Sequence, residues 1–444
     1  FSKYYKKYKK LADAGELKNH RVINAKDLWK KMLTALYETG HPWITFKDPS
    51  NIRYSNKHEG VVHSSNLCTE ILLHTSPTEY DEGNVIKVGE TAVCNLASIN
   101  LASHLKVRTI DWKKLQKTVE VAVRGLDNVI NLNFYPTEEA KKANLKHRPV
   151  GLGIMGTHDV LHKLGIPYNS KDAVVICGKI QEFISMYAIK TSAMLAKEKG
   201  AYPSFEGSEW SNGNFPIDTY CDLMNQRDPQ RSDNVYKKED FENSTEEWDE
   251  VRELVRRHGM RNSNVMAIAP TATISYIQGC SQSIEPDYSV LYVYSTLSGE
   301  FTMVNEHFVA MAKKKGIWCQ ELVDALKTAD GDVMAVDLDE DIQREFVSAF
   351  DIEPEILIEA AAERQKWIDM GQSLNLYNKH DSLKFLNDLY FNAWESGLKT
   401  TYYLRGKAAT RVEKSTVSFK STEEPEGEEI KACSVLDPGC ESCQ

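Results

Sequence analysis

Two stretches of this 444-residue chain place reactive side chains at spacings that suggest chemistry. In Ser65-Asn66-Leu67-Cys68-Thr69-Glu70 a carboxamide stands two residues before a sulfur and a carboxylate two residues after it. Drawn as an extended segment, Asn66, Cys68 and Glu70 point to one side. One small site then holds a hydrogen-bonding amide, a thiol and a base. Cys94 follows downstream, and the final residues, from Cys433 through Cys440 and Cys443 to Gln444, form a second thiol cluster. A reactive sulfur, a second thiol and a thiol pair on a tail point to a reaction that consumes electrons and must be recharged. A lone cysteine is more often a small buried hydrophobe. The alternation is what sets Cys68 apart.

Other motifs admit a plain reading beside the chemical one. Cys94, in Ala-Val-Cys94-Asn-Leu-Ala-Ser-Ile-Asn-Leu, reads as a strand running into a helix, where a thiol can simply fill core. Pro270-Thr271-Ala272-Thr273-Ile274-Ser275 follows the apolar run Val265–Ala269. Hydroxyls and open N–H groups after a strand suit a phosphate if a helix begins there, although Ser/Thr turns are common. Tyr402 and Tyr403 stand in a β-prone run from Lys399 to Arg405, where alternation sends one ring inward and the other outward. Cys440-x-x-Cys443 is compatible with a zinc knuckle, but zinc takes four ligands and no second such pair or nearby histidine accompanies it. A thiol–disulfide shuttle on a flexible arm fits better. A coil of about 27 residues spans roughly 30 Å, enough to reach into a catalytic cleft. Gly151 to Gly156 mimics a dinucleotide fingerprint without its acidic partner and reads as close helix–strand packing. Cys177, Cys221, Cys280 and Cys319 read as structural.

The elements that must position these groups are legible in part. Leu28, Met32, Leu33 and Leu36 predict a helix over Ala25 to Gly40. Leu115, Val119, Val123, Leu126 and Ile130 predict an amphipathic helix from Ile110 to Asn131. A long helix is expected from Ser170 to Lys199, ending at Gly200. Residues 201–243 read as a polar excursion. Ser244-Thr-Glu-Glu247 is a capping box opening a helix to Gly259. Further helices are expected at 300–315, 354–371 and 381–396. Helices alternating with short apolar runs favour an α/β fold with helices outside a sheet or barrel. From Arg411 the chain is polar and predicts a solvated arm.

Bulk composition narrows the class. The length corresponds to about three domains, and 41% hydrophobic residues support a sizeable core. A net charge of -10 argues against a general nucleic-acid binder. No apolar run reaches the roughly 18 residues a membrane span needs. Nine unevenly spread cysteines suit a reducing, cytoplasmic setting better than a secreted disulfide framework. The chain opens on Phe1 in a basic helical stretch, Tyr4 to Lys10, and reads as part of a longer protein.

The string Ser-Asn-Leu-Cys68-x-Glu70, together with the 270–275 turn, the Ile284-Glu285-Pro286 after it, the Tyr pair and the terminal cysteines, resembles the catalytic large subunit of class I ribonucleotide reductase. The resemblance implies residues 1–406 as part of a ten-stranded α/β barrel of the ribonucleotide reductase and glycyl-radical type, with a finger loop at about 60–75. It implies a flexible redox-active tail over 407–444. Cys68 would become a thiyl radical that takes the ribose 3′ hydrogen, Glu70 would be the base on the 3′ hydroxyl, and Asn66 would hold the ribose hydroxyls. Cys94 would be half of the substrate-reducing pair. Its partner should lie upstream of the finger loop, where this sequence has no cysteine. Pro270, Thr271, Ala272, Thr273 and Ile274 would cradle the substrate diphosphate, although the family often has a hydroxyl where Ile274 stands. Tyr402 and Tyr403 would relay a radical, and Cys440 and Cys443 would recharge the site.

The resemblance further implies a ribonucleoside diphosphate substrate and a radical generated by a metal-containing small subunit, with no cofactor or metal bound directly. Thioredoxin or glutaredoxin would be the reductant. The expected partners are the N-terminal portion of the large subunit, separate or missing, and a second large subunit in a homodimer, with no membrane and no direct nucleic acid. A cobalamin-dependent reductase is the alternative, which the Tyr pair disfavours. A non-catalytic assembly fragment has no need of the Asn66/Cys68/Glu70 set, and no glycyl-radical consensus stands near the C-terminus.

Overall fold

The computed structural model describes residues 2–227, 236–296, 299–380 and 382–406. The tail over 407–444, with Cys433, Cys440 and Cys443, lies outside the described residues.

The scaffold is a series of short, mostly parallel strands. Asn95–Asn100 pairs in parallel with Val150–Met155, Asn95 opposite Val150 and Asn100 opposite Met155. Leu152 bridges in parallel to Met266, and Ile268 to Gln372. Leu376–Asn378 pairs in parallel with Leu404–Gly406, and Thr45 bridges antiparallel to Thr400. The strand positions therefore follow one another as 95–100, 150–155, 265–268, 372–378, 400–406 and 45. Successive parallel positions are linked by helices, as parallel pairing requires. The architecture is mixed α/β, and no closed barrel forms among the described residues.

All six residues of Val150–Met155 are buried. Buried on both faces, the strand carries no alternation. Its glycines allow the close approach: a Cβ on Gly153 would stand 2.6 Å from the Ala267 carbonyl oxygen. The fingerprint-like run is thus itself a strand packed on a neighbouring strand. Only Gly156, at φ 79°, leads into a helix, Thr157–Leu164.

Helices cover the strands where periodicity places them. Trp112–Leu132 buries Leu115, Val119, Val123, Leu126 and Ile130, each such side chain contributing about 1.5–3 kcal/mol of transfer free energy. Ala25–Thr39 closes on Gly40 at φ 71°, and Lys171–Lys199 ends before Gly200. That 29-residue helix lies against Trp112–Leu132, Thr245–His258 and Pro354–Gln365. Its burial on several sides explains its weak amphipathic signal.

Some expectations do not hold. The 201–243 excursion contains the helix Pro216–Arg227 and a 3-10 turn at Lys238–Asp240. The expected 300–315 helix is a strand, Gly299–Val304, followed by the helix Glu306–Lys315. Asn305 supplies the boundary by capping the Phe308 N–H. The 354–371 helix stops at Gln365, because residues 368–373 extend to join the strand series. Thr245–His258 forms, but the Ser244 side chain makes no capping bond. Among the described residues no helix is long and apolar enough to cross a membrane.

Candidate active site

The segment around Cys68 is a tight turn, so the expected extended alternation does not hold. The Thr69 N–H donates to the Asn66 carbonyl at 3.2 Å, and Thr69 sits at φ 70°. A β-branched residue rarely occupies that left-handed region, so the surroundings must hold it there. Thr69 Oγ1 donates to the Thr401 carbonyl at 3.0 Å, and the Gly371 N–H donates to the Glu70 carbonyl at 2.8 Å. Asn66 is exposed and its Oδ1 accepts the Ile71 N–H at 3.0 Å, so this oxygen fastens the turn. Cys68 is half-buried at the tip and Glu70 is 2% exposed. Ser373 Oγ donates toward the Cys68 carbonyl at 2.5 Å and lies 3.1 Å from Glu70 Oε2.

The electrostatics keep both thiols protonated. Burial pushes the Cys68 thiol up and the Glu70 carboxylate pushes it further, against a bond from Tyr402 that lowers it. Burial also raises Cys94, with Asp369 and Glu70 adding to the effect. Glu70 acts on both sulfurs, which places the three groups in one neighbourhood. A thiol held as S–H is a poor nucleophile. It is well suited to give up a hydrogen atom.

Tyr402 reaches this turn from the far end of the chain. Its phenol donates to Cys68 Sγ at 3.4 Å, and its ring centroid lies 4.4 Å from that of Tyr403, at 57° between planes. The two rings therefore lie together rather than on opposite faces, because the named strand begins only at Leu404. Burial first, then the Cys68 contact, raises the Tyr402 phenol well above its usual value. Tyr403 is half-buried, with the Arg405 guanidinium 5.1 Å from its ring centroid. The sequence reading missed Trp43, whose ring touches both tyrosines, and Ser373 and Gly371 beneath the turn. None has a local signal, because each acts on residues hundreds of positions away.

The 270–274 turn leaves the parallel series after Ile268. Thr271 is buried at φ 55°, and its Oγ1 accepts the Ser283 N–H at 2.8 Å. Its hydroxyl oxygen therefore serves the fold. Ala272, Thr273 and Ile274 are exposed and lead into the short helix Ile274–Gln278. A cavity of about 490 Å³ is lined by Ile274, Gln278, Ser98, Asn100 and His104. A second, of about 420 Å³, is lined by Glu285, Tyr377, Arg405 and Cys280. Buried Glu285 is pushed up to about 7 by desolvation and accepts the Tyr377 hydroxyl at 2.7 Å.

Histidine–carboxylate clusters occur elsewhere, at His158/His162/Asp287 and at Glu59/His74/His147. In the first, the Asp287 N–H donates to His158 Nδ1 at 2.8 Å, which occupies that nitrogen's lone pair. In the second, His74 and His147 both contact Glu90 Oε2, at 3.1 and 2.8 Å. In a third such cluster, Asp159/Glu306/His307, His307 Nε2 contacts Asp159 Oδ1 at 2.9 Å. Cys177 and Cys221 are buried, Cys280 is half-buried and Cys319 is exposed; all four are free thiols.

Comparison with known proteins gives a consistent result. A family model described as "Ribonucleotide reductase, barrel domain" matches residues 1–404. The chain is 48% identical over 462 residues to the ribonucleoside-diphosphate reductase subunit alpha of Chlamydia muridarum, covering 100% of this chain and 42% of that protein. It is 38% identical over 467 residues to the subunit alpha of Helicobacter pylori, covering 94% and 53%. The large subunit from Plasmodium falciparum is 35% identical over 421 residues, covering 94% and 48%. The chain spans about half the length of these curated relatives.

Proposed function

Because the chain belongs to the ribonucleotide reductase barrel-domain family, we propose that it is the catalytic part of a class I ribonucleoside-diphosphate reductase large subunit. The observation that carries the reading is the Tyr402 phenol 3.4 Å from the Cys68 sulfur, with the tilted ring of Tyr403 beside it. A phenoxyl radical on Tyr402 takes the hydrogen of the Cys68 S–H, leaving a phenol and a thiyl radical. The resulting phenol can then donate to sulfur across the 3.4 Å contact. The thiyl radical takes the ribose 3′ hydrogen and buried Glu70 takes the 3′ hydroxyl proton. The 2′ hydroxyl leaves as water with a proton from one thiol, and a second thiol hydrogen goes to C2′ as the two sulfurs join in a disulfide. Cys68 S–H returns its hydrogen to C3′ while Glu70 returns the 3′ hydroxyl proton, so the thiyl radical is regenerated. Cys94 is one of the two disulfide-forming thiols, and its partner belongs to the N-terminal portion of the large subunit, which also completes the ten-stranded barrel.

The Pro270–Ile274 turn holds the diphosphate through main-chain N–H groups of the exposed residues 272–274, and Asn66 contacts the ribose. The radical originates in a metal-containing small subunit and arrives through Tyr403. Cys440 and Cys443, on the 407–444 tail, return electrons from thioredoxin or glutaredoxin. The enzyme works in the cytoplasm, as a dimer of large subunits, to supply deoxyribonucleotides.

The test is reconstitution with the N-terminal portion and the small subunit. Ribonucleoside diphosphate should be reduced, and Cys68→Ser should abolish reduction while substrate still binds. Turnover within tenfold of the parent would sink the assignment.

A further inference from the structure

We propose that Trp43 is a positioning residue for the tyrosine relay, setting the ring geometry that keeps the Tyr402 phenol on the Cys68 sulfur. The proposal rests on the radical reading above. Trp43 is the one ring among the described residues that contacts both tyrosines as well as the ring behind them. Its centroid lies 4.9 Å from Tyr402 and 5.3 Å from Tyr403, with interplanar angles of 49° and 81°. His41 backs it, 5.2 Å from Trp43 and 5.3 Å from Tyr403.

The main chain makes this contact rigid. The Phe46 N–H donates to the Lys399 carbonyl at 2.8 Å, and the Thr401 N–H donates to the Ile44 carbonyl at 2.9 Å. Thr401 Oγ1 donates to the same Ile44 carbonyl at 2.8 Å, and Thr45 bridges Thr400. Residues 44–46 are thereby registered against 399–401, and Trp43 falls beside the tyrosines that follow. The indole thereby stands against both tyrosine rings.

The indole nitrogen points to the same role. Trp43 Nε1 is enclosed and has no hydrogen-bond partner among the described residues. A buried indole N–H is normally placed on an acceptor. Here the ring is instead set against Tyr402, Tyr403 and His41, so Trp43 acts as a wall for the two phenol rings.

The test uses the large subunit with its N-terminal portion and small subunit, carrying Trp43→Leu or Trp43→Phe. A radical is trapped on 3-aminotyrosine placed at position 402, and electron paramagnetic resonance reads the β-methylene splitting, which reports ring torsion. Displacing reacting groups by about 1 Å can cost roughly 100-fold in rate. Trp43→Leu should accordingly lower kcat by about 10- to 100-fold, leave KM unchanged and shift the splitting. Trp43→Phe, which keeps a ring face, should restore most of both. A leucine variant with parental kcat and splitting overturns the proposal, as does a phenylalanine variant no better than leucine. Should the leucine variant not fold, His41→Ala at the exposed end of the cluster makes the same test. A shifted splitting with a smaller loss of kcat is expected, and an unmoved one overturns the role of Trp43. If the parent traps no radical at position 402, the radical reading fails and takes this proposal with it. A trapped radical with an unmoved splitting sinks only the role of Trp43.

Discussion

Ser373 Oγ donates to the carbonyl oxygen of Cys68 at 2.5 Å, across 305 residues of sequence. The thiol-bearing turn therefore hangs from the strand series as well as from its own neighbours. Removing the hydroxyl leaves that carbonyl without this donor. Ser373→Ala should lower stability by about 1 kcal/mol and reduce turnover several-fold, read by denaturant unfolding and steady-state assay. No change in either would show that the turn holds its shape unaided.

Gly371 lies directly beneath the same turn. A Cβ there would stand 2.7 Å from Thr400 Oγ1 and 2.8 Å from the Thr69 carbonyl oxygen. The hydroxyl can rotate away, but the carbonyl belongs to the strained residue next to Cys68. Gly371→Ala should destabilise by about 1–3 kcal/mol and depress activity more than the loss of folded protein explains. A variant that loses only melting temperature would contradict the coupling.

Tyr402→Phe keeps the ring against Trp43 and Tyr403 but removes the O–H on Cys68. Radical-dependent turnover should vanish while the fold persists. That O–H lowers the Cys68 thiol against burial and Glu70, so its loss should raise the thiol further. Alkylation of Cys68, followed against pH, should require a higher pH in the variant. An unmoved profile would mean that the contact is too weak to matter.

Glu285 supplies a pH signature. Desolvation raises its carboxyl from 4.5 to about 7 in the folded protein. Folding therefore favours the protonated form. The stabilisation is complete below about 4.5 and is lost as pH rises toward about 7. Glu285→Gln keeps an acceptor for Tyr377 and removes the titration. Urea midpoints across that window should fall with pH in the parent and flatten in the variant. Parallel curves would exclude Glu285 as the source.

The terminal pair makes a separate prediction. Cys440→Ser with Cys443→Ser should cut turnover driven by a thioredoxin-type reductant, spare a single pre-reduced turnover and recover with a small dithiol. Loss of the single turnover, or stoichiometric zinc on the tail, would rule out the shuttle.

Local sequence determined the helices whose pattern is local. Leu115, Val119, Val123, Leu126 and Ile130 recur at helical spacing, and Gly40 and Gly200 mark helix ends, because one buried face and one left-handed or open cap are written within a few residues. The residue types at 66–70, 94, 270–274 and 402–403 were equally legible, as was their likeness to one family. Their arrangement was not. Asn66, Cys68 and Glu70 alternate on paper, yet Thr69 turns the chain at φ 70° because Thr401 and Gly371 hold it there. The Tyr rings lie together, tilted at 57°, instead of facing apart, and Tyr402 meets Cys68 across 334 residues. The strand position at 372–378 is buried among its neighbours, so no alternation announced it, and residues 299–304 formed a strand inside a predicted helix. Tertiary structure alone decided these points, because a contact between residues hundreds of positions apart leaves no periodicity in either segment.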